Sequence, residues 1–334
     1  MTFLPSSPAN GLFSLSEKDF IPRALDIFRL QYAQNSLYRD FVRSLGAGPG
    51  TVGRLEDIPF LPVGLFKTYA VRTGEFMPEI VFESSGSTGQ VPSRHLVKDL
   101  SLYRQSFMAG FEAFYGPVGE WCVIGLLPAY LERAHSSLVY MVQEMIAASG
   151  HSDSGFYLYD HDRLAEVLLR LEAAGQKTLL IGVTFALLDL AERHSFSLGH
   201  TVVMETGGMK GRRREVTREE LHAVLRSRLG VRAVHAEYGM TELLSQAYSA
   251  GAGLFRCPPW MKVMVRGEDD PLETTLEGEG LINVIDLANV WSCAFVATDD
   301  IGRLHAYGEF QVLGRMDHSD IRGCSLLMAP TSTR

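Results

Sequence analysis

Thr178-Leu179-Leu180-Ile181-Gly182-Val183 is a short apolar run that reads as a buried strand, and the segments on either side of it decide the fold. Upstream, Asp160 or Asp162 can cap a helix whose Leu164, Val167, Leu168 and Leu171 form one face, ended by Gly175. Downstream comes a short helical run over 185–193, then a second strand, Thr201-Val202-Val203-Met204. Thr217-Arg218-Glu219-Glu220 is a capping box. It opens a helix through Leu221, Val224, Leu225 and Leu229 that Gly230 stops, and residues 231–237 return as a strand. Strands alternating with helices in this way specify an α/β fold with a mainly parallel sheet and helices packed on it.

The flanks read differently. Ser16-Glu17-Lys18-Asp19 resembles a capping box with Asp in place of Glu, and Leu25, Phe28 and Tyr32 follow at helical spacing. Gly46-Ala47-Gly48-Pro49-Gly50 breaks that pattern. Ile58-Pro59-Phe60-Leu61-Pro62-Val63 carries prolines that bar it from a central strand or a helix interior. Beyond about residue 255, short strands separated by Gly, Glu and Asp predict a β-rich subdomain. The expected organisation is an N-terminal helical and extended region (1–78), an α/β core (79–254), a β-rich subdomain (255–315) and a short tail (316–334).

The 334 residues are 46% hydrophobic and 21% charged, a soluble globular mix with a net charge of −8. That charge argues against nucleic acid or an anionic membrane as a bulk partner. No apolar run approaches the roughly 18 residues of a membrane span, and Met1-Thr2-Phe3-Leu4-Pro5 lacks a secretory pattern. Cys122, Cys257, Cys293 and Cys324 are scattered with no C-x-x-C pair, which fits a reduced, cytosolic protein and gives no zinc pattern.

Four segments carry chemistry. Ser84-Ser85-Gly86-Ser87-Thr88-Gly89-Gln90 follows the apolar run Ile80-Val81-Phe82. Its hydroxyls and glycines can wrap N–H and OH groups around phosphate oxygens; the plain alternative is an exposed Ser/Gly turn. It is not a Walker A loop, and Arg94 just beyond it is a cation within reach of a phosphate. Tyr238-Gly239-Met240-Thr241-Glu242 ends the strand at 231–237, where ligands of open α/β sheets bind. There an aromatic face suits a flat base and Glu242 suits Mg2+, although an ordinary strand-to-helix turn has the same letters. Thr298-Asp299-Asp300-Ile301-Gly302 offers a carboxylate for a ribose, or a turn. Gly314-Arg315 offers a guanidinium fork.

In order and spacing these segments resemble the adenylate-forming superfamily of acyl-CoA synthetases, firefly luciferase and nonribosomal peptide adenylation domains. The resemblance implies the large N-terminal domain of that fold, with ATP and Mg2+ as cofactors. It casts Ser85, Gly86, Ser87, Thr88 and Gly89 as the phosphate loop and Thr206-Gly207-Gly208 as a wall of the adenine pocket. Thr241 then contacts phosphate, Glu242 holds Mg2+, Asp300 takes the ribose and Arg315 lies at the hinge. His135 falls where the superfamily often sets a residue beside the substrate carboxylate; a helix-surface histidine is the alternative. Residues 59–63, Phe66-Lys67 and the ending Gly314-Arg315-Met316-Asp317-His318-Ser319-Asp320-Ile321-Arg322-Gly323-Cys324-Ser325-Leu326 more narrowly resemble the acyl-protein synthetases of bacterial bioluminescence, the LuxE family.

That family adenylates a fatty acid and passes it to a cysteine near the C-terminus, which Cys324 matches, for delivery to a reductase or another acceptor. Only ten residues follow Cys324, where the wider superfamily has a further domain with a catalytic lysine. The C-terminal domain is thus expected to be truncated; either no such lysine exists, or Arg94, Lys210 or Arg322 substitutes, or a partner subunit supplies it. Transfer to CoA or a carrier protein, and a non-catalytic nucleotide-binding subunit, are the rival readings.

Overall fold

The structure is a computed structural model that describes residues 8–84, 91–127, 135–207, 217–267 and 272–316. Two helices open it, α1 (Glu17–Gln34) and α2 (Ser36–Ser44), followed by a two-residue strand β1 (Leu61–Pro62) and one helical turn α3 (Leu65–Thr68). Strands β2 (Ile80–Glu83) and β3 (Arg94–Val97) pair with each other as a small separate sheet. Then come α4 (Leu100–Tyr115), β4 (Cys122–Leu126), α5 (Ser137–Ser149), β5 (Gly155–Phe156) and α6 (His161–Ala173). The alternation continues with β6 (Thr178–Gly182), α7 (Thr184–Arg193), β7 (Thr201–Thr206), α8 (Arg218–Leu229) and β8 (His235–Tyr238). Strands follow: β9 (Ala247–Ser249), β10 (Leu254–Arg256), β11 (Met261–Arg266), β12 (Thr274–Thr275), β13 (Gly278–Asp286), β14 (Phe295–Leu304) and β15 (Phe310–Arg315).

One sheet takes every strand but β2 and β3, in the order β12-β11-β13-β14-β15-β10-β9-β8-β7-β6-β4-β5, with β1 parallel to β14 off that path. From β5 to β8 the pairing is parallel; from β8 to β12 it is antiparallel. Strands β4 and β6 are buried at every residue, as strands covered on both faces must be. The closest packing shows which helices cover them. A Cβ on Gly125 would meet Val142 of α5, and one on Gly182 would meet Leu187 of α7. Since Gly125 and Gly182 lie on opposite faces in register, α5 covers one face and α7 the other. Among the described residues no helix is long and apolar enough to cross a membrane.

Local chemistry made these elements legible. Asp160 caps α6 through Arg163 N, Thr217 and Glu220 form both bonds of the capping box on α8, and Gly175 and Gly230 adopt positive φ past their helices. Three expectations shift. The Ser16 hydroxyl turns to the Asp19 carboxylate rather than to the backbone. The buried face of α1 runs through Phe20, Ala24, Ile27, Phe28 and Gln31, leaving Leu25 and Tyr32 only partly covered. Strand β8 starts at His235 rather than 231, because its partner β7 first meets it there, Met204 opposite His235.

The two halves of the sheet are tied by a buried carboxylate. Asp286 at the end of β13 accepts Leu244 N (2.7 Å), Ser245 N (3.0 Å), Ser245 Oγ (2.6 Å) and Ala288 N (3.1 Å). Residues 244 and 245 follow β8, so this side chain staples the parallel half to the antiparallel half. Asp286→Ala leaves those donors buried and unpaired. It should lower the unfolding free energy by on the order of 3 kcal/mol or more, and Asp286→Asn, which keeps an acceptor oxygen, by less. Urea denaturation of both variants checks this.

Candidate active site

The hydroxyl-rich loop springs from the β2–β3 hairpin. Ser84 N donates to Ser93 O (3.0 Å) and Ser93 N to Ser84 Oγ (2.8 Å), closing its stem. Ser85, Gly86, Ser87, Thr88 and Gly89 lie outside the described residues, as do Gly208 and Cys324. Ser93 and His95 are buried while Arg94 between them is exposed, so Arg94 points away from the interior face of the hairpin. Exposed His135 adjoins the same hairpin through its carbonyl, which accepts Glu83 N at 2.9 Å.

The end of β8 meets that stem. Glu242 is buried, and the Ser93 hydroxyl bonds its carboxylate. Burial pushes the Glu242 carboxyl above its usual range, opposed by Ser93 and by the nearby charges of Arg315 and Lys67. Thr241 next to it is held by the backbone: its carbonyl faces His95 Nδ1 at 2.8 Å. A Cβ on Gly239 would meet Oε1 of Glu237, so a side chain there would push that carboxylate aside. Met240 is partly buried, its sulfur 4.0 Å from the Tyr238 hydroxyl. Gly207 leaves β7 at φ 70° and accepts the Thr184 hydroxyl (2.8 Å).

Tyr238 reaches across to the antiparallel half. Its ring lies against Phe255 and Phe310, and its hydroxyl donates to Asp300 Oδ2 at 2.9 Å. Asp300 on β14 stands directly opposite Arg315 on β15. Arg315 Nε is 3.8 Å from Asp300 Oδ1, and a terminal guanidinium nitrogen is 3.9 Å from Asp299 Oδ2. Burial raises the Asp300 carboxyl, with Arg315 and the tyrosine hydroxyl acting against it. A bulge follows at once: Ile301 pairs with Gly314, but Gly302 pairs with Val312, and a Cβ at Gly302 would strike Ile282 and Gln311 O. Thus the aromatic, the two carboxylates, the guanidinium and the loop stem, widely separated in sequence, gather at the carboxyl end of the parallel strands.

The family model for acyl-protein synthetase, LuxE, matches residues 6–333. The chain belongs to this family. It is similar to a long-chain-fatty-acid–luciferin-component ligase of Aliivibrio fischeri, 23% identical over 335 residues covering 91% of this chain and 86% of the relative. Among solved structures it is similar to 2-hydroxyisobutyryl-CoA ligase in complex with 2-HIB-AMP (TM-score 0.60, 12% identity, 89% of this chain and 68% of that one). It is also similar to ATP-bound MatB from Rhodopseudomonas palustris (TM-score 0.54, 18% identity, 84% of this chain). The chain spans 58% of the length of that MatB structure. The likeness is one of fold, and the fold is the α/β large-domain fold of adenylate-forming enzymes.

Three residues that position the candidate site, His95, Asn289 and Arg266, carry no sequence signal. His95 is buried between Thr241 O and Asn289 Oδ1 (3.0 Å from Nε2), while Asn289 Nδ2 donates to Glu242 O (2.7 Å) and Cys293 O (2.9 Å). The pair thus fixes the backbone of both Thr241 and Glu242. Arg266, nearly buried, donates to Ile282 O, Asn283 Oδ1 and Thr298 O, setting the strand that carries Asp300. Lys67 on α3 brings a cation toward Glu242. The one clue was alternation: His95 is two residues beyond Ser93 on the same inward face.

Each ring nitrogen of His95 faces an oxygen, which favours the cation, but burial outweighs this and pushes the imidazole from 6.5 down to about 4. The unfolded chain takes up this proton near 6.5, the folded protein only near 4, so unfolding binds a proton in that window. Stability is therefore intact above about 6.5 and should fall by about 3 kcal/mol as the pH drops to 4. Urea midpoints measured across this range check it. A His95→Gln variant should be less stable at pH 7 and should lack this part of the slope.

Proposed function

We propose that this protein uses ATP to activate a carboxylic acid, a fatty acid by analogy with its relatives, as an acyl-adenylate and passes the acyl group to the thiol of Cys324. The observation that supports it best is the meeting of the loop stem, Glu242, and the Tyr238–Asp300–Arg315 cluster at one end of the sheet. Tyr238 and the Gly207-Gly208 edge would flank the adenine, and Asp300 would accept the ribose hydroxyls. Ser85, Gly86, Ser87, Thr88 and Gly89, with Met240 and Thr241 beyond Gly239, would line the phosphates; Arg315 and Lys67 act on Glu242, and Arg94 would reach the phosphates from the outer side of the hairpin. His135 would sit beside the acid.

Glu242 fits Mg2+: it is a single buried carboxylate beside a hydroxyl at the loop stem, and Mg2+ takes one or two carboxylates with phosphate oxygens. Among the described residues no group of three or more His, Cys, Asp or Glu gathers as an all-protein cage. Bound there, the ion would neutralise charge on the phosphates. The acid's carboxylate oxygen bonds to the α-phosphorus as the bond to pyrophosphate breaks, and the donors around the phosphates stabilise the charge that develops. A Cys324 thiolate then attacks the acyl carbonyl, and AMP leaves.

The described cysteines do not suit that second step. Burial pushes the thiol of Cys122 up to about 11 and those of Cys257 and Cys293 to about 12, so each stays protonated near neutrality. This favours Cys324 or an external thiol as the acceptor. An acyl reductase or an acyl-carrier protein would be the downstream partner, in a reducing, cytosolic compartment.

ATP–pyrophosphate exchange across a panel of acids tests the first step. Exchange should appear with at least one acid and fall by about 100-fold or more in Glu242→Gln, with the urea midpoint little changed. No exchange with any acid overturns the reading in favour of a nucleotide-binding subunit. Labelled acid should remain on denatured wild-type protein and not on Cys324→Ser. If the variant transfers acyl groups to CoA or a carrier at the wild-type rate, the acceptor is external.

A further inference from the structure

The end of β8 has two faces, and only one is accounted for. Tyr238 faces Asp300, Phe255 and Phe310. Its neighbours 237 and 239 project to the other side of the sheet. There Thr206, Glu237 and Tyr248 stand in one row across β7, β8 and β9, with Thr206 opposite Glu237 and Glu237 opposite Tyr248. Gly239 and Gln246 lie one step nearer the carboxyl end. Tyr103 of α4 covers this face, its hydroxyl donating to Ser137 O at the start of α5, two residues from His135. The same face therefore runs out toward the segment that carries His135.

The polar groups on this face are short of donors. Glu237 Oε2 accepts the Thr206 hydroxyl, while Oε1 turns toward the Cα of Gly239. The side chain of Gln246 lies against the same point, its Cγ 3.3 Å from where a Cβ of residue 239 would be. Gln246 is 5% exposed, and its Oε1 is buried with no hydrogen-bond partner among the described residues. An unpaired buried amide oxygen is costly, and the partly exposed carboxylate beside it has acceptor capacity to spare. Two such groups beside a residue with no side chain describe a receptor for something that brings a donor. Burial raises the Glu237 carboxyl to about 7, with the Thr206 hydroxyl alone opposing it.

We infer that this face receives the body of the activated acid, and that the acid carries a hydroxyl or ammonium group which donates to Glu237 and Gln246. The inference rests on the adenylation reading and narrows its substrate to acids bearing a hydrogen-bond donor. A plain alkyl chain laid on this face would leave both oxygens unpaired and bury them further. Gly239 lets the Glu237 carboxylate and the Gln246 side chain stand together beside the backbone, since a Cβ there would press on both.

Pyrophosphate exchange with matched acids of equal chain length, unsubstituted, hydroxylated or aminated at successive carbons, tests this on the full chain. The wild type should favour a donor-bearing acid over its unsubstituted match by about 10- to 100-fold in kcat/KM. Glu237→Leu and Gln246→Leu should each bring that ratio toward one. Because the ratio is internal to each variant, a loss of folded protein does not mimic it. Glu237→Gln separates the two donors: it should keep a preference for hydroxyl and abolish one for ammonium. Equal or better use of unsubstituted acids, or ratios unmoved by these variants, overturns the inference while adenylation stands. Absence of exchange with every acid removes adenylation and the inference with it.

Discussion

A carboxylate placed in the interior must be surrounded by donors or it unfolds what surrounds it, and Asp286 is surrounded by four. Three of those donors come from residues 244 and 245, beyond β8, and the fourth from the turn that follows β13. The turn just beyond it, residues 287–294, is gripped in the same way from the N-terminal region. Gln31 bonds Asn289 O, Val290 O and Ala294 N, and Asn35 and Thr73 both reach Ser292 O. From the same turn Asn289 reaches His95 and the backbone of Glu242. The N-terminal helices, the loop-bearing hairpin and the motif at the end of β8 thus share one polar hub. Rigidity at the candidate site is inherited from it.

The site itself is electrostatically tense. Two carboxylates, Glu242 and Asp300, are held where burial penalises their charge, with Arg315 offsetting both from the edge. A fully satisfied interior would have paired them with buried cations. Leaving them partly compensated suits a place that takes up a cation or sugar hydroxyls from outside. The separation of functions across β8 follows from strand geometry alone: successive side chains point to opposite faces, so a single strand end serves two compartments.

The parallel core was legible because its signals are local. Capping residues, helix-ending glycines and short apolar runs lie within a few residues of the structure they dictate. The segments at 238–242, 298–302 and 314–315 stood out in the sequence by the aromatic, carboxylate and guanidinium groups they carry. Their mutual geometry was not, because it depends on sheet register: Asp300 opposes Arg315 only through the pairing of β14 with β15. The hub was illegible for a stronger reason. Gln31 and Asn289 are 258 residues apart, and neither residue type announces a partner at that distance. Helix α5 was not among the elements read from the sequence; the fold makes it a helix capped by Ser136 with Val139, Met141 and Val142 in the core.

The bulge between Ile301 and Gly302 makes β14 and β15 a measuring device. Because side chains alternate with a period of two, losing or gaining one residue along β15 would carry Arg315 to the opposite face of the sheet. Substitution in this stretch is therefore a matter of chemistry, but length is frozen. The turn at 305–309 is under no such rule: Tyr307 is fully exposed with φ 70°, and extra residues there can loop into solvent without disturbing the count. A lineage, or an engineer, has freedom of length at that tip and none in the six residues that follow it.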